Sequence, residues 1–257
     1  MKPAPPIRHG VLVLLGGEGL RPTSLPLWEH LRALAPQGMR RTVILPAALA
    51  AYKEGAAQRR TAQIAAALEQ MGVEVSVLPI FSREQAADSA QAAALAAADC
   101  IYLGGGQPQA LHRVLAGTLV WEALLSAHAR GALLVASGGA AAALGSVSFT
   151  PPQPAPRTLD ALQFERLDGL GLLKGIVVLP YYNWLQPQVI EQIAVLFPSD
   201  TLLIGIDDQA ALIGAADGWR VEGLGSVTIR KHGGLRPLMI DAGQSVALDV
   251  LPPYPER

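Results

Sequence analysis

The sequence predicts a three-layer α/β/α protein with a mostly parallel central sheet, and three observations carry that prediction. From Val11 to Ala136, short runs rich in Val, Ile and Leu alternate with longer alanine-rich or amphipathic segments, the order of a strand–helix–strand chain. Those short runs are rich in Val, Ile and Leu and read as strands covered on both faces. After Pro156 the alternation gives way to short strands separated by turn signals, so β-hairpins are expected on one edge of the sheet.

The elements follow in order. Val11–Leu15, Thr42–Leu45, Val73–Leu78, Cys100–Leu103 and Ala132–Ala136 read as buried strands. Leu25–Leu34 reads as a helix with Ser24 as its N-cap. Gly55–Met71 carries apolar residues at helical spacing and stops at Gly72. Ser89–Ala98, Gln109–Ala116 and Leu119–Ala129 are the next helices, the last ending before Gly131. Ile176–Leu179 reads as a strand and Gln188–Phe197 as a helix. Leu202–Ile206, Ala210–Ile213, Trp219–Val221, Val227–Arg230, Leu238–Ile240 and a stretch near Ser245–Val250 read as the hairpin strands, with turns at Asp207-Asp208, Asp217-Gly218 and Gly233-Gly234. No linker separates them from the rest, so residues 1–257 are expected to form one domain.

Composition excludes several functions. With 20 Lys and Arg against 21 Asp and Glu, the formal charge is −1; no cationic surplus exists to neutralise a phosphate backbone, so a nucleic-acid partner is not expected. A single cysteine, Cys100, excludes an internal disulfide and a thiolate zinc site, and suits a reducing, cytoplasmic home. Residues 131–156 carry no charge, but Ser137, Gly138, Gly139 and Gly145 interrupt the stretch and Pro151, Pro152, Pro154 and Pro156 end it, so it reads as strand, turn, short helix and proline-rich loop rather than a membrane span. No pair of histidines has metal-ligand spacing, and neither metal nor cofactor is expected.

Chemistry gathers at three glycine-rich turns. Val135-Ala136-Ser137-Gly138-Gly139-Ala140 joins a buried strand to a small-residue helix. A nucleophile elbow needs small neighbours around a sharp bend, and the N–H after the serine can donate to an oxyanion; a tight strand-to-helix turn with a capping serine has the same look. Gly104-Gly105-Gly106-Gln107-Pro108 follows another strand and lets backbone approach a ligand closely, or simply leads into a helix at Pro108. Gly16-Gly17-Glu18-Gly19 follows the first strand. In an open α/β sheet all three lie on the rim where ligands bind. Of His9, His30, His112, His128 and His232, only His112 falls near that rim in the sequence reading, about one turn into the helix after the glycine triplet.

These segments, in this order, resemble the cyanophycinase and dipeptidase E group of serine peptidases, together with Ser82-Arg83-Glu84, Ile101-Tyr102-Leu103, Leu115-Ala116-Gly117-Thr118, residues 169–178 and Gly205-Ile206-Asp207-Asp208-Gln209. The resemblance implies a class I glutamine amidotransferase-like, flavodoxin-like fold. It lays the group's Gly-Thr-Ser-Ala-Gly-Ala elbow over Val135–Ala140, which puts Ser137 in the nucleophile's place, Gly105 and Gly138 in the oxyanion hole, and Gln107 with Gly106 in the substrate pocket. It then breaks. Where the group carries its catalytic histidine this chain has Tyr181, and where it carries the acidic partner Thr150–Arg157 holds no carboxylate. Asn183, Trp184, Leu185 and Gln186 replace the arginines that receive an acidic substrate. An unperturbed phenol with a pKa of about 10 is a poor base near neutrality. The expectation is therefore a divergent homologue, non-catalytic or altered in activity, with a site at the rim for a small molecule, a peptide or a protein partner; the alternative is a serine hydrolase of peptidase type in which Ser137 works with a non-standard base such as Tyr181 or His112. A homodimer is compatible with the sequence.

Overall fold

The structure, a computed structural model, describes residues 10–35, 38–150, 165–197, 200–231, 236–247, 249–251 and 254. The proline-rich segment Pro151–Pro156, His9 and His232 lie outside the described residues.

Five parallel strands form the heart of an eight-stranded sheet: β1 (Leu12–Leu15), β2 (Thr42–Leu45), β3 (Val75–Val77), β4 (Cys100–Leu103) and β5 (Leu133–Ser137), in the spatial order β1-β5-β4-β2-β3. Every residue of β1, β2, β4 and β5 is buried, the polar Thr42 and Ser137 included. Strand alternation divides these residues between two cores. Leu12, Leu14, Leu134 and Ala136 face one side, with Leu111, Trp121 and Leu124 from α5 (Pro108–Leu115) and α6 (Leu119–Ala129). Val13, Leu15, Val135 and Tyr102 face the other, with Trp28 and Leu31 of α1 (Leu25–Leu34) and Ile64 and Leu68 of α2 (Glu54–Gln70). Fully burying each Val, Leu or Ile side chain among these contributes about 1.5–3 kcal/mol. Two short helices, α3 (Arg83–Ala86) and α4 (Ser89–Ala94), bridge β3 and β4; α3 opens on a capping box between Ser82 and Gln85.

Four expectations are corrected. β3 is the sheet's outer strand, and Val75, Ser76 and Val77 are half-buried or exposed rather than covered on both faces; Glu74 and Ser76 alternate with the valines, the pattern of a strand with one face toward water. Ser24 occupies the N-cap position of α1, but its side chain makes no capping bond, because a helical turn at Pro22–Ser24 already holds it in helical geometry. The helix predicted over Ser89–Ala98 ends at Ala94. The C-terminal strands do not all join one edge. β10 (Ala210–Ala215), β11 (Gly218–Gly223) and β14 (Ser245–Val246) extend the large sheet antiparallel beyond β1. β9 (Leu202–Ile206), β12 (Ser226–Lys231) and β13 (Leu238–Asp241) instead join β8 (Ile176–Pro180) in a separate four-stranded sheet, order β13-β12-β9-β8. β8 and β9 are parallel, linked across α8 (Pro187–Ala194), which covers the outer face with Val189 and Ile193. Between α7 (Gly139–Ala143) and β8 lies a two-stranded ribbon, β6 (Val147–Thr150) with β7 (Glu165–Asp168).

Among the described residues no helix is long and apolar enough to cross a membrane, and no group of three His, Cys, Asp or Glu is placed to hold a metal ion.

Candidate functional site

The carboxyl ends of β1, β5 and β4 lie side by side, so the three glycine turns that follow them meet on one rim, where open α/β sheets bind ligands. The second sheet delivers Tyr181 to the same place from the end of β8: its N–H donates to the Gly16 carbonyl at 2.9 Å. Tyr181 has a left-handed backbone (φ 53°, ψ 36°), a conformation that L side chains adopt at a cost of about 1–2 kcal/mol. Its ring packs on the exposed Trp184 with centroids 5.0 Å apart. Asn183 ties this turn down, its Oδ1 accepting from the Asp208 N–H at 2.9 Å.

Two cavities of about 450 Å³ each open on either side of Tyr181 and share Glu18, Arg60 and Gln63. One extends toward Arg21, Trp184 and Asp208; the other toward Tyr52, Arg59 and the backbone of Gly105, Gly106 and Gly139. Charge alternates along the groove they form. Arg60 pairs with Glu18, and Arg21 pairs with Asp208 at 2.8 Å.

Ser137 does not stand at this rim. It is the last residue of β5, still in the ladder opposite Leu15, and is fully buried. The period of two points it the same way as Leu133 and Val135, into the core that holds Tyr102. Its Oγ lies 3.0 Å from the Tyr102 Oη and 3.3 Å from the Leu103 carbonyl oxygen. The Tyr102 hydroxyl also reaches the Glu18 carbonyl at 2.9 Å. The serine is at the strand's carboxyl end, as expected, but its side chain turns into the core and the sharp bend comes one residue later. Gly138 carries φ 50° and ψ −120° at the start of α7, a region open to glycine and strained for any other residue.

The two glycines expected to donate to an oxyanion are placed differently. The Gly138 N–H is spent on the Leu15 carbonyl at 3.0 Å. Gly105 closes over the serine, since a Cβ built there would lie 3.3 Å from Ser137 Oγ. Gly106 lines the groove, but Gln107 lines neither cavity; it occupies the N-cap position of α5 without a side-chain capping bond, its N–H donating to the Ala48 carbonyl at 2.9 Å. Among the described residues no histidine hydrogen-bonds to Ser137, His112 included. Tyr181 faces the groove, but in the wrong protonation range for a base: burial, and then the nearby carboxylates of Glu18 and Asp208, push its phenol up to about 12. Burial drives the Tyr102 phenol above its ordinary value as well.

Sequence reasoning missed Tyr102, Arg21, Arg59, Arg60 and Asp208. Tyr102 stood inside an apolar strand run, where an aromatic residue signals core; Arg59 and Arg60 lay in a helix far in sequence from the glycine turns, and Arg21 lay two residues past one of them with no motif to mark it.

Comparison with known proteins follows the same lines. A peptidase from an acI-B1 Actinobacterium superposes with a TM-score of 0.78 at 24% identity, covering 94% of this chain and 98% of that one. A peptidase E protein from Listeria monocytogenes EGD-e superposes with a TM-score of 0.59 at 19% identity, over 84% of this chain and 99% of that one; both likenesses concern the fold. Two cyanophycinases, from Trichormus variabilis and from a Nostoc species, are each 32% identical to this chain over 163 residues, 63% of this chain and 55% of theirs. The chain thus spans about half the length of the curated relatives it matches. Residues 12–221, which run from the first strand through the glycine turns and Tyr181 to β11, match the model of peptidase family S51, and the chain belongs to that family.

Proposed function

We propose that this chain is a non-hydrolytic member of the S51 family whose rim groove binds a short peptide or small molecule. One observation carries the reading: the Ser137 hydroxyl is fully buried and its partners are a phenol and a main-chain carbonyl. Neither accepts a proton near neutrality, and a serine hydroxyl without a base is a weak nucleophile. Hydrolysis through Ser137 with Tyr181 as base would need a phenol well below its ordinary pKa, whereas its surroundings move it the other way. The groove remains suited to binding. It offers exposed aromatic faces at Tyr52 and Trp184 and side chains of both charges, which fits a ligand that carries both signs or a peptide with mixed polarity. A reducing compartment such as the cytoplasm suits a chain whose one cysteine is buried.

The test is active-site labelling of the native chain with a fluorophosphonate near pH 8, alongside hydrolysis of a mixed peptide library. The expected result is no adduct and no cleavage above that of a Ser137→Ala variant. An adduct on Ser137, or cleavage that vanishes in Ser137→Ala, would overturn the proposal.

A further inference from the structure

We infer that the nucleophile's position in this chain is Gly138, so that the reactive group has been deleted outright and Ser137 is the buried hydroxyl beside it. The inference rests on the loss of hydrolysis proposed above and assigns its cause. Three observations converge on it. The first is backbone geometry. A nucleophile elbow presents its side chain from the strained residue between strand and helix. That residue is Gly138, at φ 50° and ψ −120°, while Ser137 keeps regular strand pairing with Leu15.

The second observation is what a side chain at each position would meet. A Cβ built on Gly138 lies 3.1 Å from the Tyr181 Oη and 3.2 Å from its Cε2. Tyr181 is the residue that stands where the resemblance places the catalytic base, and a nucleophile and its base must be neighbours. Ser137 points instead to Tyr102, inside the sheet's core. The third observation is the hydrogen bonding. The Gly138 N–H belongs to the strand ladder through Leu15, whereas the following N–H, that of Gly139, has no acceptor among the described residues. The donor that serves an elbow is the N–H after the nucleophile, and that order is kept only if the nucleophile's position is Gly138.

The family's six-residue elbow therefore lies over Ala136–Ala141 in space, one residue beyond its best match in sequence. A slip of one residue carries a strand side chain to the opposite face, so the shift turns an apparent serine-for-serine match into serine replaced by glycine. Ser137 then takes the preceding position, a hydroxyl inside the strand. The Tyr181 ring fills the space that the missing side chain leaves.

Thiol accessibility tests the assignment. The two chains compared are Gly138→Cys, Tyr181→Ala and Ser137→Cys, Tyr181→Ala, each exposed in the folded state to a small charged methanethiosulfonate reagent and read by intact mass. Buried Cys100 is the internal unreactive thiol. The thiol at 138 is expected to react more than about tenfold faster than the thiol at 137, which should track Cys100, because reaction of a buried thiol waits on local opening. Restoring Tyr181 in the Gly138→Cys chain should slow its reaction. If Tyr181→Ala itself unfolds the protein, the same comparison is made in a Tyr181→Leu background, which keeps apolar bulk but removes the phenol atoms that cover position 138. Equal rates, or a faster thiol at 137, overturn the inference. So does a Gly138→Cys, Tyr181→Ala chain that cannot fold where its Ser137→Cys counterpart does. A native chain inert to fluorophosphonate but with a shielded thiol at 138 would sink this assignment and leave the proposed loss of hydrolysis standing.

Discussion

If Ser137 is a structural hydroxyl, removing it should weaken the fold, whereas removing a reactive serine from a strained active site commonly strengthens it. The sign of the stability change is therefore diagnostic. Ser137→Ala deletes a fully buried hydroxyl with partners at 3.0 Å and 3.3 Å. Tyr102 keeps its bond to the Glu18 carbonyl, so the loss is one net hydrogen bond, about 1 kcal/mol. Tyr102→Phe conserves volume but removes both the 2.9 Å bond to Glu18 and the 3.0 Å contact with Ser137, and should cost about 2 kcal/mol. The two changes share one contact. The double variant should therefore lose about 2 kcal/mol rather than the sum, a coupling of about 1 kcal/mol. Urea unfolding followed by tryptophan fluorescence reads the cycle, and Trp28, whose ring lies 6.1 Å from Tyr102, reports on this core. A stabilising Ser137→Ala, or two additive single changes, would refute the reasoning.

Two further outcomes follow from the same geometry. Tyr181 has a pKa raised to about 12 against an ordinary value of about 10, so its neutral form is favoured by the fold. That contribution is intact below pH 10 and is lost as pH rises through the folded value; the urea midpoint of the native chain should fall more steeply between about pH 10 and 12 than that of Tyr181→Phe, and parallel profiles would count against the burial of the phenol. At Gly139, an added Cβ would lie 1.9 Å from the Gly106 carbonyl oxygen. Because that obstacle is backbone, Gly139→Ala should lower stability by about 2–3 kcal/mol in a denaturant melt, and an unchanged midpoint would mean that the glycine loop and the start of α7 are not held in contact.

Much of the fold was legible along the chain. The bounds of α1 and α6, and of β2, β4 and β9, agree with the periodicity to the residue, because the apolar spacing of a buried strand or an amphipathic helix is a local property. The partition of the C-terminal strands was not. Leu202–Ile206 and Ala210–Ala215 are neighbours in sequence and similar in apolar character, yet they enter different sheets. The Asp207-Asp208 turn between them is held by contacts from elsewhere, Ser226 on Asp207 and Arg21 on Asp208. Arg59 and Arg60 of the groove were invisible for the same reason, since α2 meets the rim only through packing.

By itself, then, the sequence determined the layered α/β architecture, the glycine turns at the ends of three parallel strands and the family to which they point. Only the tertiary structure decided which residue stands at the bend after β5, that Tyr102 holds Ser137 inside the core, and that Tyr181 closes on Gly138. Periodicity reports whether a residue alternates, but the face on which the alternation ends is set by register against β1 and β4, and register is a relation between strands that no single strand carries.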